Sequence, residues 1–132
     1  MSGGKTLRTA RSVAVGLGAA RHGVGHFIVE RVSALLLVPL VLWGVWSLIQ
    51  VAGSGFEGAS AWIASPVNAV VLALLLITAL VHAKSAMQVV IEDYIHRFVT
   101  KAALLVLNVS ICVLAGALGV FAILKAALIG AF

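Results

Sequence analysis

The sequence predicts an all-α membrane protein with three transmembrane helices. Of its 132 residues, 63% are hydrophobic and only 10% are charged, and the mean hydropathy is +1.21. A soluble domain is roughly half apolar and about a quarter charged, so this chain has too little polar surface to cover itself in water. The net charge of +5 does not indicate nucleic-acid binding, because the basic residues flank apolar segments and form no stripe between aromatic side chains.

Residues 1–30 are predicted to form a basic arm ahead of a transmembrane domain at residues 31–132. The arm contains four of the nine Lys and Arg residues and no acidic residue before Glu30. We expect it to contact lipid head groups or a partner protein on the cytoplasmic side of the membrane.

Three segments are long and apolar enough to span a bilayer, which takes about 20 residues at about 1.5 Å rise per residue. The first covers about residues 32–52. The second covers about 66–91 and begins with Ser65 as a predicted N-cap and Pro66 in the first turn. The third covers about 101–129. Each is apolar on all sides, as expected for a helix in lipid.

The charges between the spans predict their orientation. The segment 53–65 holds no Lys or Arg and only one charge, Glu57, whereas the 92–101 loop holds Arg97 and Lys101. The positive-inside rule therefore places the N-terminus and the 92–101 loop in the cytoplasm and the C-terminus outside. The three tryptophans would then lie toward the outer interface: Trp43, Trp46 and Trp62.

His82 is the deepest ionisable group of the second span, and such groups are costly in a membrane unless they are paired. One interpretation is a neutral histidine hydrogen-bonded to a neighbouring helix. The other is an axial ligand to a haem held between helices. The small side chains of Ala79, Ala83 and Ala86 leave room for a flat macrocycle, but a close helix crossing would explain them equally well.

Asp93 and Tyr94 end the second span. Asp93 follows His82 by eleven residues, which returns it to nearly the same helix face about three turns nearer the cytoplasm. Tyr94 is either an aromatic anchor at the head-group level or a phenol that donates a hydrogen bond to a quinone carbonyl. In the second case Asp93 would tune that donor or relay protons.

Two cations near the spans have competing interpretations. Lys84 lies on the side of its helix opposite His82 and either snorkels to lipid phosphates or pairs with a haem propionate or a partner's carboxylate. Arg31, at the entrance to the first span, is subject to the same choice. Three further histidines are interpreted as solvated interfacial residues: His22, His26 and His96.

The sequence also limits what the chain does alone. It has no second deep histidine, so it cannot supply both axial ligands of a six-coordinate haem. It contains no Gly-rich phosphate loop, CxxC pair or HExxH motif, and its one cysteine, Cys112, is interpreted as a small packing residue. A catalytic role would therefore require other subunits.

The stretch around His82 resembles the membrane-anchor D subunit family of succinate dehydrogenase (succinate:quinone oxidoreductase, respiratory complex II). The second helix of that family carries a haem-ligating His, a Gly-Met pair, a Gln, and an Asp-Tyr pair eleven and twelve residues after the His. In this sequence the pattern reads His82, Ala86-Met87, Gln88 and Asp93-Tyr94, with Ala86 in place of the Gly. The arm followed by Arg31, and the basic residue Lys84, are similar to the alphaproteobacterial and mitochondrial branch.

The resemblance implies one half of a shared cofactor site. His82 would be one axial ligand of haem b, and the companion C anchor subunit would supply the other. Tyr94, with Asp93 beside it, would bind ubiquinone. Electrons would come from a docked iron–sulfur subunit after succinate is oxidised in a flavoprotein subunit. Arg31 or Lys84 would approach a haem propionate, and the complex would sit in the bacterial cytoplasmic (inner) membrane, with any higher oligomer left open.

Three alternatives are weighed against this reading. The companion C subunit is expected to carry an S-x-x-H-R-x-[ST]-G signature before its first helix, where this chain has only ERVSAL. A small transporter would need a carboxylate deep within a span to couple protons, whereas Glu30 and Asp93 lie at the edges. A haem-free structural anchor stays open.

Overall fold

The computed structural model describes residues 9–10 and 21–129, with side chains from Gly23 onward in the second range. Residues 21–129 form no strand and consist of four α-helices: α1 (Arg21–Ala52), α2 (Gly55–Ala64), α3 (Pro66–Tyr94) and α4 (Phe98–Ile129). Three of them, α1, α3 and α4, are long and apolar enough to cross a membrane. The predicted all-α class with three spans is confirmed. Most of the predicted arm, with the side chain of His22, lies outside the described residues.

Three helix boundaries differ from those that the sequence predicts. α1 begins at Arg21, so the helix includes the last ten residues of the predicted arm. α3 continues to Tyr94 and α4 starts at Phe98, which leaves only residues 95–97 between them. Charged residues at these ends suggested loops. At a membrane interface, however, a side chain can be solvated while its backbone remains helical.

The connection between the first two spans also contains a helix, which its content of Gly, Ser and Ala did not predict. Residues of α2 form a ten-residue helix that starts at Gly55, whose φ of 66° is a left-handed conformation that glycine adopts freely. The Trp62 ring of α2 packs on Trp43 of α1, with ring centroids 5.6 Å apart. Asn68 Nδ2 donates to Trp62 O at 2.9 Å and so satisfies a carbonyl at the end of α2. These tertiary contacts stabilise a helix that composition alone does not predict.

The three long helices form an open layer with α3 in the middle. α3 packs against α1 on one side and α4 on the other, and within the described residues α1 and α4 do not pack on each other. The short helix α2 contacts all three. Such a layer has two broad faces, and most of the large apolar side chains on them are exposed. In a membrane these faces meet lipid or other subunits.

Small side chains bring the helices of the layer close together. The least exposed polar residues of α1 and α3 are hydroxylated, and each is under a tenth exposed: Ser33, Ser47, Thr78 and Ser85. On the other side of α3, Leu80 and Leu76 cover Gly116 and Gly119 of α4. Small residues at such contacts allow the close backbone approach on which helix packing in lipid depends.

Candidate functional site

His82 is half-buried on α3 and is held by a hydrogen bond to the neighbouring helix α1. Its Nδ1 lies 3.1 Å from the Oγ of Ser33, a residue that is only 5% exposed. The hydroxyl of Ser33 also donates to the carbonyl oxygen of Glu30 at 3.0 Å. The first interpretation of His82, a histidine bonded to a neighbouring helix, is therefore what the structure contains. This bond does not compete with a ligand role, since it uses Nδ1 and not Nε2.

An apolar groove lies in front of His82. Its volume is about 410 Å³, and the rest of its lining comes from one side of α1: Ala34, Leu37, Val38, Val41 and Leu42. On α3 the neighbouring side chains Ala83 and Ala86 are both exposed and small. Close to His82 the surface of the layer is thus apolar and has little side-chain bulk on α3.

The grooves define two faces of the layer. Ile77 and Val81 line both a groove against α1 and a groove of about 580 Å³ against α4 that includes Lys84, so these two grooves open on the same side. We call this side the Lys84 face. His82 opens on the other side, together with Ala79, which precedes it by one helical turn and lines a third groove against α4. We call this side the His82 face.

Asp93 and Tyr94 lie at the C-terminal end of α3 on the His82 face, the end that the predicted orientation of the spans would place toward the cytoplasm. Ala79, Ala83, Ala86 and Val90 follow one another at three- and four-residue spacing and connect the two ends of this face. Tyr94 is 78% exposed and, with Val90, lines a groove of about 430 Å³ between the end of α3 and α4. Asp93 is exposed.

The structure does not bring His82 and Tyr94 into one site. Twelve residues separate them, which corresponds to about 18 Å along the helix axis. The groove beside His82 is completed by α1, and the groove beside Tyr94 is completed by α4. They are therefore two separate grooves on one face of the layer, at different positions along α3.

The two cation candidates fall on different faces. Arg31 is exposed, and its guanidinium carbon lies 5.2 Å from the ring centroid of Phe27. It precedes Ala34 of the His82 groove by three residues, which places it on that side of α1. Lys84 is half-buried in its groove on the opposite face, where its backbone carbonyl accepts a 3.0 Å hydrogen bond from Asn108 Nδ2 of α4.

The interfacial histidines differ from one another. His96 is exposed, and its Nδ1 lies 3.2 Å from the carbonyl oxygen of Tyr94, in keeping with a solvated residue. His26 is half-buried, and its Nε2 is shielded from solvent without a hydrogen-bond partner among the described residues. The expectation that His26 is solvated does not match this environment.

The sequence interpretation missed Ser33 and Asn108. Both are neutral polar residues within apolar spans, where ionisable groups give the stronger signal of a functional site. Each nevertheless bonds to another helix, Ser33 to His82 and Asn108 to the backbone of Lys84. A polar uncharged side chain within a predicted span is the signal that could have identified them, because such groups tend to bond across helices.

Together the fold and the site define a small three-span membrane protein with one deep imidazole that faces an open apolar groove. The family model for the succinate dehydrogenase/fumarate reductase transmembrane subunit matches residues 5–121. The chain belongs to this family, as its resemblance on the His82 stretch predicted.

Several relatives bear the name succinate dehydrogenase hydrophobic membrane anchor subunit. The protein from Rickettsia bellii (strain RML369-C) is 36% identical over 78 residues, which cover 59% of this chain and 62% of that protein. The one from Paracoccus denitrificans is 31% identical over 97 residues, covering 74% and 75%. The one from Rickettsia conorii (strain ATCC VR-613 / Malish 7) is 27% identical over 97 residues, covering 73% and 77%. The chain thus matches less than two thirds of the length of the first of these relatives.

Proposed function

We propose that the chain is the D-type hydrophobic membrane-anchor subunit of succinate dehydrogenase in a bacterial cytoplasmic membrane. It helps to bind haem b and forms part of the site at which ubiquinone is reduced. One observation carries the proposal: a deep histidine, engaged through Nδ1 only, shares one face of the helical layer with the Asp93–Tyr94 pair. The names of the relatives support the choice of enzyme.

The surroundings of His82 fit a haem. Its Nε2 has no hydrogen-bond partner among the described residues and is the nitrogen with which a neutral imidazole would bind iron. The apolar groove and the small side chains Ala83 and Ala86 leave space for a flat ring beside it. A bound haem b supplies one-electron redox chemistry. Since the sequence offers no second deep histidine, the other axial ligand comes from the companion C subunit.

Arg31 is the better placed of the two candidates for a haem propionate. It lies on the His82 side of α1, at its predicted cytoplasmic entrance, where a guanidinium can bind a carboxylate in a bidentate manner. Lys84 faces the opposite groove, so we assign its ammonium to a lipid phosphate or to a carboxylate of another subunit.

Tyr94 and Asp93 suit a quinone at the cytoplasmic end of the same face. The exposed phenol can donate a hydrogen bond to a quinone carbonyl, while the apolar groove beside it accommodates the ring. Quinone reduction takes up protons as well as electrons. The exposed carboxylate of Asp93 can hold a proton next to the phenol and exchange it with water.

The partners follow from the two faces and the predicted orientation. The companion C anchor covers the His82 face and closes the haem site. The iron–sulfur subunit docks at the cytoplasmic end, near Tyr94, and the flavoprotein subunit binds to it in turn. Lipid covers the apolar surface that remains, and the chain acts as a non-autonomous subunit of the enzyme.

A reduced-minus-oxidised optical spectrum of the detergent-purified complex tests the proposal, with wild type beside His82→Ala. His96→Ala is the matched control, because that histidine is exposed and lies in the 95–97 connection. We expect a succinate-reducible haem b signal that His82→Ala abolishes or alters and that His96→Ala preserves. A wild-type complex without haem, or an unchanged spectrum in His82→Ala, would leave a haem-free anchor and overturn the haem assignment.

A further inference from the structure

We propose that Ser33 is a positioning residue for His82. It holds the neutral ring in the tautomer that protonates Nδ1, so that the lone pair of Nε2 is ready for a ligand. This inference rests on the proposed role of His82 and adds a residue from another helix to the site. It is carried by the pair of hydrogen bonds around a single hydroxyl group.

Counting protons fixes the direction of both bonds. The carbonyl oxygen of Glu30 can only accept, so the Ser33 hydroxyl must donate its one proton there, across 3.0 Å. The same oxygen lies 3.1 Å from His82 Nδ1, and without a second proton it can only accept from Nδ1–H. A neutral imidazole carries one ring proton, and this proton is therefore on Nδ1. The opposite tautomer would satisfy only one of these two contacts.

The hydroxyl is held in place from both sides. Ser33 is 5% exposed on the side of α1 that packs against α3, and its bond to Glu30 spans a single helical turn. The hydroxyl therefore lies at the buried contact between α1 and α3. His82 gains a fixed ring direction as well as a fixed tautomer, because the Nδ1–H bond restrains rotation about its side-chain bonds.

A hydrogen bond at Nδ1 also changes the donor strength of Nε2. An acceptor on the ring N–H increases the electron density of the imidazole and strengthens it as a ligand. The oxidised iron has the higher charge and benefits more from a stronger donor. Loss of the Ser33 hydroxyl should accordingly weaken ligation most in the oxidised state and raise the haem midpoint potential.

The test compares Ser33→Ala with Ser33→Thr in the purified complex. Thr keeps the hydroxyl and Ala removes it. Ser47→Ala is the matched control, because Ser47 is 6% exposed and lies fourteen residues along the same helix, about 21 Å away from Ser33. Two readouts are independent of turnover: the rate at which haem transfers to excess apomyoglobin, and the haem midpoint potential in a redox titration.

For Ser33→Ala we expect haem transfer to be about tenfold faster, the lower end of the usual effect of losing a partner of a metal-bound histidine. If this change reflects a tenfold loss of haem affinity that is confined to the oxidised state, the midpoint potential rises by about 59 mV. Ser33→Thr and Ser47→Ala should resemble the wild type in both measurements.

The outcomes separate this inference from the proposed function. If His82→Ala loses the haem signal while Ser33→Ala matches the wild type in transfer rate and potential, Ser33 has no positioning role although His82 is a ligand. If His82→Ala keeps the wild-type signal, both assignments fail. Should Ser33→Ala not assemble, Ser33→Val beside Ser33→Thr provides a pair of nearly equal size, and equal potentials in that pair would overturn the inference.

Discussion

At the scale of single residues, Tyr94 illustrates how one side chain can serve as an anchor or as a hydrogen-bond donor. Its ring is 78% exposed at the end of α3, which is where an aromatic anchor would lie. Tyr94 also lines an apolar groove, which is where a quinone carbonyl would need a donor. In the proposed function the ring serves the first role and the hydroxyl serves the second, so removing only the hydroxyl separates them.

Tyr94→Phe is expected to lower succinate:quinone reductase activity roughly fivefold, the equivalent of one hydrogen bond of about 1 kcal/mol. Succinate oxidation with a soluble dye acceptor should be unchanged, because that acceptor takes electrons before the membrane site. Phe98→Leu is the control, since it removes an exposed aromatic ring near the same interface and no donor. Equal loss of both activities in Tyr94→Phe would count against the quinone role.

Sequence reasoning reached His82 and its spacing to Asp93 because both are ionisable and lie within or beside an apolar run. The helical repeat alone then placed them on one side of a helix. The contact of Ser33 could not be predicted, because its partner is 49 residues away in the sequence and the contact depends on how α1 packs against α3. Nothing in the apolar pattern of either span determines which residues of the two helices meet.

At the scale of elements, two glycines of α4 lie at its contact with α3, and they differ in the space available for an added Cβ. A Cβ at Gly119 would overlap Leu76 Cδ2, whereas a Cβ at Gly116 would lie 3.4 Å from Leu80 Cδ1, an ordinary contact. Both glycines lie within the same helix, so an alanine brings the same gain in helix propensity at either position. The difference in stability between the two variants then measures the effect of the overlap alone.

Gly119→Ala is expected to be about 1–3 kcal/mol less stable than Gly116→Ala, which is the usual cost of overpacking a close contact. Thermal unfolding of the detergent-purified complex measures this as a lower midpoint for Gly119→Ala. Identical midpoints would show that Leu76 moves aside without cost and that the α3–α4 contact is looser than the structure indicates.

The existence of the three long helices was predictable, because each apolar run exceeds the length needed to span a bilayer. The short helix α2 was not predictable, because it is stabilised by a tertiary contact, that of Trp62 with Trp43 of α1, and not by a local sequence pattern. Helix ends at charged positions were also misjudged: Glu92 remains helical, and its carbonyl accepts a 3.1 Å bond from Lys101 Nζ across the short connection.

At the scale of the whole molecule, an open layer with two faces explains why this chain serves as part of an assembly. Few of its side chains are buried, and none of the described residues has a fully buried large side chain. The apolar grooves on the His82 face are open, and in the proposed function another subunit or a cofactor covers them. The helical repeat separates His82 from Lys84 on their helix, but it does not predict the open layer that gives the molecule two faces, because that layer depends on how the three helices pack.

Cysteine labelling can compare the two faces in the intact complex. Ala83→Cys places a thiol on the His82 face and Val81→Cys places one on the Lys84 face, each in a Cys112→Ala background. With a lipid-soluble maleimide we expect at least tenfold slower labelling of the Ala83 variant if the companion subunit covers it, as we propose. Both thiols should react equally after denaturation. Equal rates in the native complex would contradict a covered His82 face.

Chemical rescue of the His82 position tests directly whether this histidine binds the haem iron. In His82→Gly the ring is replaced by a cavity, so the haem b spectrum of the purified complex should be lost or converted to a different spin state. Added imidazole should then enter the cavity and restore the wild-type spectrum, while the wild-type complex should not respond to it. A wild-type spectrum in His82→Gly without imidazole would mean that this histidine does not bind the haem iron.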